Sequence, residues 1–535
     1  MPASKIVTMD EAVGLVQDGN TLTISCSSGL NVADRTLAAL GKRFVDTGSP
    51  GSLTLVFPIA VGDMFGQSGL DHLAHPGMVR CMIGGSYPSG PSSMPPPKMI
   101  ERIYSNKVEA YNFPSGVLMH LHREIAGKRP GVLTEIGLGT FVDPRIEGGR
   151  MNAITREDLV KVVEFQGKEW LFYPSFPLDV AIVRGTTADE DGNISMEHEG
   201  AYLGSVVQAL AVHNCGGKVI VQVKRVAERG TLNPQHVRIP GAWVDAVVVD
   251  PEQQQATQTL YDSSISGETR RPWSSFEPVP FDVFKVIARR AALELSKGDL
   301  ANLGFGVSAL LPRVLLEEGV FHEVTFAIEQ GATGGMPLGE FQFGCAANAQ
   351  AIVESPLQFD FLQGAGFDVA FLSFLEVDMH GSVNVSRLRA RPHVTAGAGG
   401  FIDITQHARR LVFSGFFTAG GQQLEIENGK LHILQEGKHR KFVSSVEHLT
   451  LDGRRARQAG KQILYITERG VFRLTEQGPM LVEIAPGVDV KSQILDLADF
   501  PIPVSADLKE MDLKLFRPAP LNLELPPKRE NNCGH

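Results

Sequence analysis

The sequence predicts an α/β protein built from two related, open and mostly parallel α/β domains. Strand-like apolar runs alternate with helical stretches along the chain, which is the pattern of a mostly parallel sheet. The order helix, glycine turn, strand, small-residue loop opens the chain and recurs from Val283. Val180-Ala181, Asp189 and Gly192 match Val369-Ala370, Asp378 and Gly381, each 189 positions apart, which points to an internal duplication.

The elements follow in order. A helix over Met9 to Gln17, the turn Asp18-Gly19-Asn20 and a strand over Thr21 to Ser25 lead into Ser27-Ser28-Gly29. A helix near Ala33 to Phe44 and the buried strand Leu53-Thr54-Leu55-Val56 come next. Residues 62–98, with Gly84-Gly85-Ser86 and Pro95-Pro96-Pro97, form a long loop of the kind that is functional or packed over a neighbour. In the helix Val117 to Ala126, His120 and His122 point about 200° apart, so they share a metal poorly. After the strand Val180 to Val183, Asp189, Asp191 and Asn193 alternate as in a calcium loop; the other EF-hand positions are missing, so a turn is expected. A helix over 199–213 and the strand Lys218 to Val223 complete the first half.

A composition shift at Ser263-Ser264, Ser266-Gly267, Arg270-Arg271-Pro272 and Pro278-Val279-Pro280 marks a connection. The domains expected are therefore 1–262 and 281–535, joined by a linker over 263–280. The second opens with a helix over Val283 to Leu295, the turn Lys297-Gly298-Asp299 and the strand Leu300 to Leu303.

Composition excludes several classes. The 535 residues leave room for two full cores, and 43% hydrophobic with 21% charged residues is ordinary for a globular protein. A net charge of −10 gives no basic footprint for nucleic acid. Met1-Pro2-Ala3-Ser4-Lys5 leads into a mixed polar segment, so no signal peptide is expected. No run approaches the ~18 apolar residues of a membrane span. Cys26, Cys81, Cys215, Cys345 and Cys533 are scattered and read as reduced core thiols of a cytoplasmic protein.

The chemistry gathers at the stretch from Val324 to Pro337, a buried strand that runs into Glu329 and then into Gln330-Gly331 and a glycine-rich turn. In open α/β sheets, ligands bind beyond the carboxyl ends of strands. With an ordinary pKa of about 4.3, Glu329 is expected to be ionised at neutral pH and able to attack an acyl group. The bland alternative is a surface glutamate at a strand end. Two more glycine loops, Gly304-Phe305-Gly306-Val307-Ser308 and Ala396 to Asp403 with Gly399-Gly400, offer N–H groups for an oxyanion. Neither has the dinucleotide spacing.

Further motifs are Tyr111-Asn112-Phe113-Pro114-Ser115-Gly116, Gly139 to Arg145, Arg184 to Asp189, Gln358-Phe359-Asp360-Phe361 and Gly399-Gly400-Phe401-Ile402-Asp403. With Glu329-Gln330-Gly331, they make the chain resemble the family I coenzyme A transferases, in the branch that fuses both subunits and acts on acetate, propionate and butyrate. The resemblance implies that Glu329 is the catalytic glutamate, forming first an acyl–glutamyl anhydride and then a glutamyl–CoA thioester. It implies that Gly399 and Gly400 hold the oxyanion, and that Gly304, Gly306 and Val307, with Gly331, lie on the CoA side. It also implies an acyl-CoA and a small carboxylic acid as partners, no permanent cofactor or metal, no membrane, and a homo-dimer or homo-tetramer. Ser115 stands where the family usually has glutamine, Ser308 where it has proline, and the segment from Arg387 to His393 is unusually basic. These departures suggest an altered acyl pocket lined by Ser115, or neutral drift. An acyl-CoA hydrolase using the same glutamate, or a non-catalytic CoA-ester binder, remains the alternative.

Overall fold

The computed structural model describes residues 4–63, 66, 68–88, 96–388 and 396–528. Pro95, Cys533 and residues 389–393 of the basic segment lie outside the described residues.

Two sheets organise the chain. The first has seven strands in the order Ala246–Val249, Lys218–Val223, Val180–Arg184, Thr21–Ile24, Leu53–Phe57, Val79–Gly84 and Glu109–Asn112. Every pairing in it is parallel. All five residues of Leu53–Phe57 and of Val180–Arg184 are buried, which is why these strands read as continuous apolar runs. The second sheet has ten strands around a parallel centre of Thr325–Ala327, Leu300–Leu303, Val369–Ser373, Arg410–Ser414 and Gln462–Ile466. Its margins are partly antiparallel. The antiparallel sheet of Gly131–Thr134, Lys168–Pro174 and Lys161–Phe165 and the hairpin of Gln423–Glu427 with Lys430–Gln435 have no counterpart in the sequence reading.

The duplication is visible in the register. Leu22 of the first strand pairs with Val180 on one side and Leu55 on the other; Ala301 pairs with Val369 and Phe326. The aspartates 189 apart do the same thing in each half. Asp189 Oδ1 accepts the N–H groups of Asp191 and Asn193 at 3.0 and 2.9 Å, and Asp378 Oδ1 accepts those of His380 and Ser382, both at 2.9 Å. The calcium-like alternation is thus a turn whose aspartate caps backbone groups.

The expected helix over 199–213 starts later, at Ser205, because residues 196–204 form turns. The segment read as a linker packs against the second half, where Arg270 donates to the carbonyl of Ala349 at 2.9 Å and the Arg271 N–H donates to Asn348 Oδ1 at 2.7 Å.

The halves share one hydrophobic core, which includes Val117, Leu121 and Val183 from the first and Phe359, Ile402 and Phe413 from the second. Helix Ser115–Ala126 packs on Ser205–Cys215 of its own half and on Ser355–Gln363 of the other. The motif at Gly139 to Arg145 belongs to this seam: Phe141 donates its N–H to the Leu449 carbonyl at 2.7 Å, and its ring stacks on His448 at 3.8 Å. Arg184 is structural too, fully buried and paired with Glu199 at 2.5 Å. Among the described residues no helix is long and apolar enough to cross a membrane.

Candidate active site

Glu329 lies two residues beyond the strand Thr325–Ala327, at the place where that strand and Leu300–Leu303 end side by side. The neighbours of the first strand lie on opposite sides in chain order, which makes this the switch point of the sheet. Both flanking residues are fixed. The Ile328 carbonyl accepts from Gln358 Nε2 at 2.9 Å, and the Gln330 carbonyl accepts from Ser355 Oγ at 3.4 Å. Gln330 Nε2 then bridges the halves, donating at 3.1 Å both to Glu329 Oε1 and to Ser27 Oγ.

The loop 396–400 closes on the other face of the carboxylate. The first half holds it in place. Asn112 Oδ1 accepts the Ala398 N–H at 2.8 Å, Gly85 accepts the Gly399 N–H at 2.9 Å, and Ser115 donates its N–H to the Gly399 carbonyl at 2.9 Å. The Gly400 N–H is left on the side of the Glu329 carboxylate, whose ionised form it favours. A Cβ at position 400 would strike Glu329 Oε2 and lie 3.1 Å from Phe359 Cε1, so a side chain there would displace the carboxylate.

The carboxyl is not the ordinary one the sequence implies. Burial, with the neighbouring Asp403 charge, pushes Glu329 up to about 7, against the Gly400 and Gln330 hydrogen bonds that favour its ionised form. The residue keeps a partly exposed surface while its carboxyl sits among protein groups. Its carboxyl therefore holds its proton to a higher pH than the ordinary glutamate the sequence implies.

The remaining expected site residues divide. Gly399 does not offer an oxyanion donor, because its N–H is committed to Gly85. Gly331 makes the turn after Glu329, with its N–H on the Ile328 carbonyl at 3.1 Å. In the loop after Leu300–Leu303, the Gly304 N–H is bound to the Phe371 carbonyl at 2.8 Å. Val307 turns its side chain into the core, which leaves Phe305, 49% exposed, and Gly306 as the surface of that loop. Ser115 is 0% exposed and its hydroxyl is buried without a partner, while Ser308 donates to the Leu372 carbonyl at 3.2 Å. Neither serine lines open space, so the expected Ser115 pocket is not formed. The reason is the helix that starts at Ser115: it is packed beneath Gly85, whose Cβ position lies 2.5 Å from Ser115 Oγ. Arg387 pairs with Glu147 at 2.8 Å.

Asp403, Gln330, Asn112 and Phe359 stand inside the sequence motifs, where nothing in the motif itself marks a role for them. Asp403 is 0% exposed and accepts the Gly116 N–H at 3.0 Å and Gln363 Nε2 at 2.8 Å. A charge inside the apolar run Phe401-Ile402-Asp403-Ile404 was the signal that could have marked it. The two histidines go separate ways: His122 bonds the Leu118 carbonyl and Thr23 at 2.7 and 2.8 Å, and His120 bonds the Pro356 carbonyl at 3.1 Å. Among the described residues no cluster of three or more His, Cys, Asp or Glu is arranged to hold a metal.

A carboxylate beside a backbone N–H, between two α/β halves, is an arrangement able to serve acyl transfer. Known proteins narrow the class. A family model described as Coenzyme A transferase matches residues 6–250. The chain is 42% identical over 522 residues to the caffeate CoA-transferase of Acetobacterium woodii, covering 96% of this chain and 97% of that one. It is 40% identical over 527 residues to the acetate CoA-transferase YdiF of Escherichia coli K12, covering 97% of each. The crystal structure of the acyl-CoA transferase YdiF apoenzyme from Escherichia coli O157:H7 superimposes with a TM-score of 0.92 at 38% identity, over 98% of both chains. That protein's thioester complex with CoA superimposes with a TM-score of 0.91. The chain belongs to the coenzyme A transferase family, and its activity is CoA transfer.

Proposed function

We propose that Glu329 carries this transfer in a ping-pong cycle between an acyl-CoA and a free monocarboxylic acid. The carboxylate of Glu329 attacks the thioester carbonyl, the C–S bond breaks, and an acyl–glutamyl anhydride and the CoA thiolate result. The thiolate attacks the glutamyl carbon, the donor acid leaves as its carboxylate, and a glutamyl–CoA thioester remains. An acceptor carboxylate reverses the two steps. Each step exchanges one anion for another, so no proton has to be moved. The Gly400 N–H is the donor for the oxyanion that forms at each attack.

The observation that carries this reading is the closeness of Gly400 to Glu329: the Gly400 N–H favours the ionised carboxylate, and a Cβ at 400 would strike Glu329 Oε2. A relative crystallised as a thioester complex with CoA supports it. The acetate and caffeate relatives are about equally similar, which supports a monocarboxylate substrate of either small or aryl type. The exposed Phe305–Gly306 main chain is the CoA-side surface in this reading. Residues 1–262 and 281–535 act as the two units, in a cytoplasmic homo-dimer or homo-tetramer that light scattering would measure.

Incubation with acyl-CoA and no acceptor, followed by intact mass and peptide mapping, tests the cycle. A CoA-sized adduct on the peptide holding Glu329 is expected. Product formation without such an adduct would refute it. CoA release that proceeds at full rate without an acceptor would assign hydrolysis instead.

A further inference from the structure

Asp403 is a buried carboxylate that the cycle above does not use. It lies in the first turn of helix Phe401–His407, directly after Gly400 in the chain. Its oxygens take the N–H of Gly116 and the amide of Gln363, so the N-terminus of helix Ser115–Ala126 in the first half is docked on a charge from the second. The approach is close: a Cβ on Gly116 would lie 2.6 Å from Asp403 Oδ1 and 2.6 Å from Phe359 Cδ1. The adjacent atom of the same ring, Cε1, lies 3.1 Å from the Cβ position of Gly400, beside Glu329 Oε2. One edge of Phe359 thus runs from Gly116, beside Asp403, to Gly400, beside Glu329.

We propose that Asp403 acts as an electrostatic spring on Glu329: its buried charge repels the free carboxylate, and acylation of Glu329 releases that repulsion. Formation of the anhydride or the thioester turns the Glu329 anion into a neutral acyl group and sends the negative charge out on the departing carboxylate or thiolate. The bond changes are those of the cycle itself; Asp403 takes part in none of them. Asp403 is a positioning residue, and the inference rests on Glu329 being the residue acylated.

The surroundings let this charge persist. The charged and titratable groups that face the pair, among the described residues, are His120 on the helix of Gly116, Asp360 on the helix of Phe359, and Tyr173. His120 lies 3.1 Å from Asp360, which also pairs with Arg123 at 2.9 Å. His120 also favours the ionised Asp403. Tyr173 donates its hydroxyl to the Ile136 carbonyl at 2.9 Å and stays neutral. Burial pushes Asp403 up to about 6, against the Gly116, Gln363 and Val117 hydrogen bonds and His120, so it is charged in the range where Glu329 ionises near 7. A neighbouring like charge raises a carboxyl by about one unit or more. Repulsion of one unit in the free enzyme is a tenfold bias toward the acylated enzyme.

Asp403→Asn tests this, because it keeps an acceptor for the Gly116 N–H and removes the charge. Two readouts are paired: the acidic limb of kcat/KM against pH, and the fraction of enzyme held as Glu329–CoA thioester at a fixed ratio of acyl-CoA to free acid at pH 8. The limb is expected to move down by about one unit, and the thioester-to-free ratio to fall about tenfold, the same factor read twice. Asp403→Glu, which restores the charge, is expected to restore both. If Asp403→Asn fails to fold, Asp403→Ser keeps a hydroxyl acceptor without charge and serves in its place. An unmoved limb, or a slower enzyme with an unchanged thioester ratio, would show a purely structural aspartate and overturn the proposal. Absence of any adduct in the unmutated protein would instead remove the cycle on which it rests.

Discussion

The two halves share a parallel centre of five strands in the same order, and the matching strand ends at its switch point carry different residues. Extending the register of the paired strands by two positions sets Pro58 of the first half against Glu329 of the second. The residue at this address in the second half is a carboxylate at the switch point. In the first half it is a proline whose carbonyl is pressed against Gly85, the residue that holds the Gly399 N–H. Duplication supplied two equivalent strand ends. One carries the reactive group, and the other builds the wall that fixes the opposing loop.

That division of labour can be broken in order of effect. Glu329→Ala is expected to lower turnover by about a thousandfold or more, and Glu329→Asp to fail as well because the shorter arm misplaces the oxygens. Pro58→Ala, at the matching address, is expected to stay within about threefold, since surroundings rather than chemistry depend on it. Steady-state kinetics with mass analysis of the adduct would measure both, and similar losses at 58 and 329 would end the comparison. Gly400→Ala comes next. Its methyl would collide with Glu329 Oε2 and displace the oxyanion donor, for a loss of about a hundredfold in kcat with the fold intact by circular dichroism.

Smaller effects sharpen the contrast between wall and site. Ser115→Gln forces a longer side chain into a position that is 0% exposed, so denaturant unfolding should show a loss of about 1–3 kcal/mol. The rank order of acids should stay the same, because Ser115 faces no open space. Glu329→Gln should raise the melting temperature at pH 8 by about a degree or two and leave it unchanged at pH 4. The sign follows from a folded pKa raised from the ordinary 4.5 to about 7: the folded state holds the extra proton between these limits, so stability present below pH 4.5 is lost as pH rises through 7.

Much of this was legible in the chain. The recurrence at 189 positions named the duplication, and the Asp189 and Asp378 turns prove equivalent down to the hydrogen bonds they make. Glu329 was visible because a lone acid ended a buried run before glycine. The antiparallel additions were missed because they are short and partly exposed, with weak patterns such as the Lys161–Phe165 strand. Ser115 was misjudged because its place in a motif says which neighbours it has along the chain and nothing about Gly85 above it.

The sequence by itself determined the α/β class, the doubling and the candidate carboxylate, because strand periodicity, repeated spacing and residue type are local properties of the chain. Only the tertiary structure decided which glycine keeps a free donor, which serine is buried, and that Asp403 stands behind Glu329. Those depend on Gly85, Asn112 and Gly116 reaching residues about 300 positions away, and on burial, which shifts a carboxyl by removing the water that would otherwise stabilise its charge.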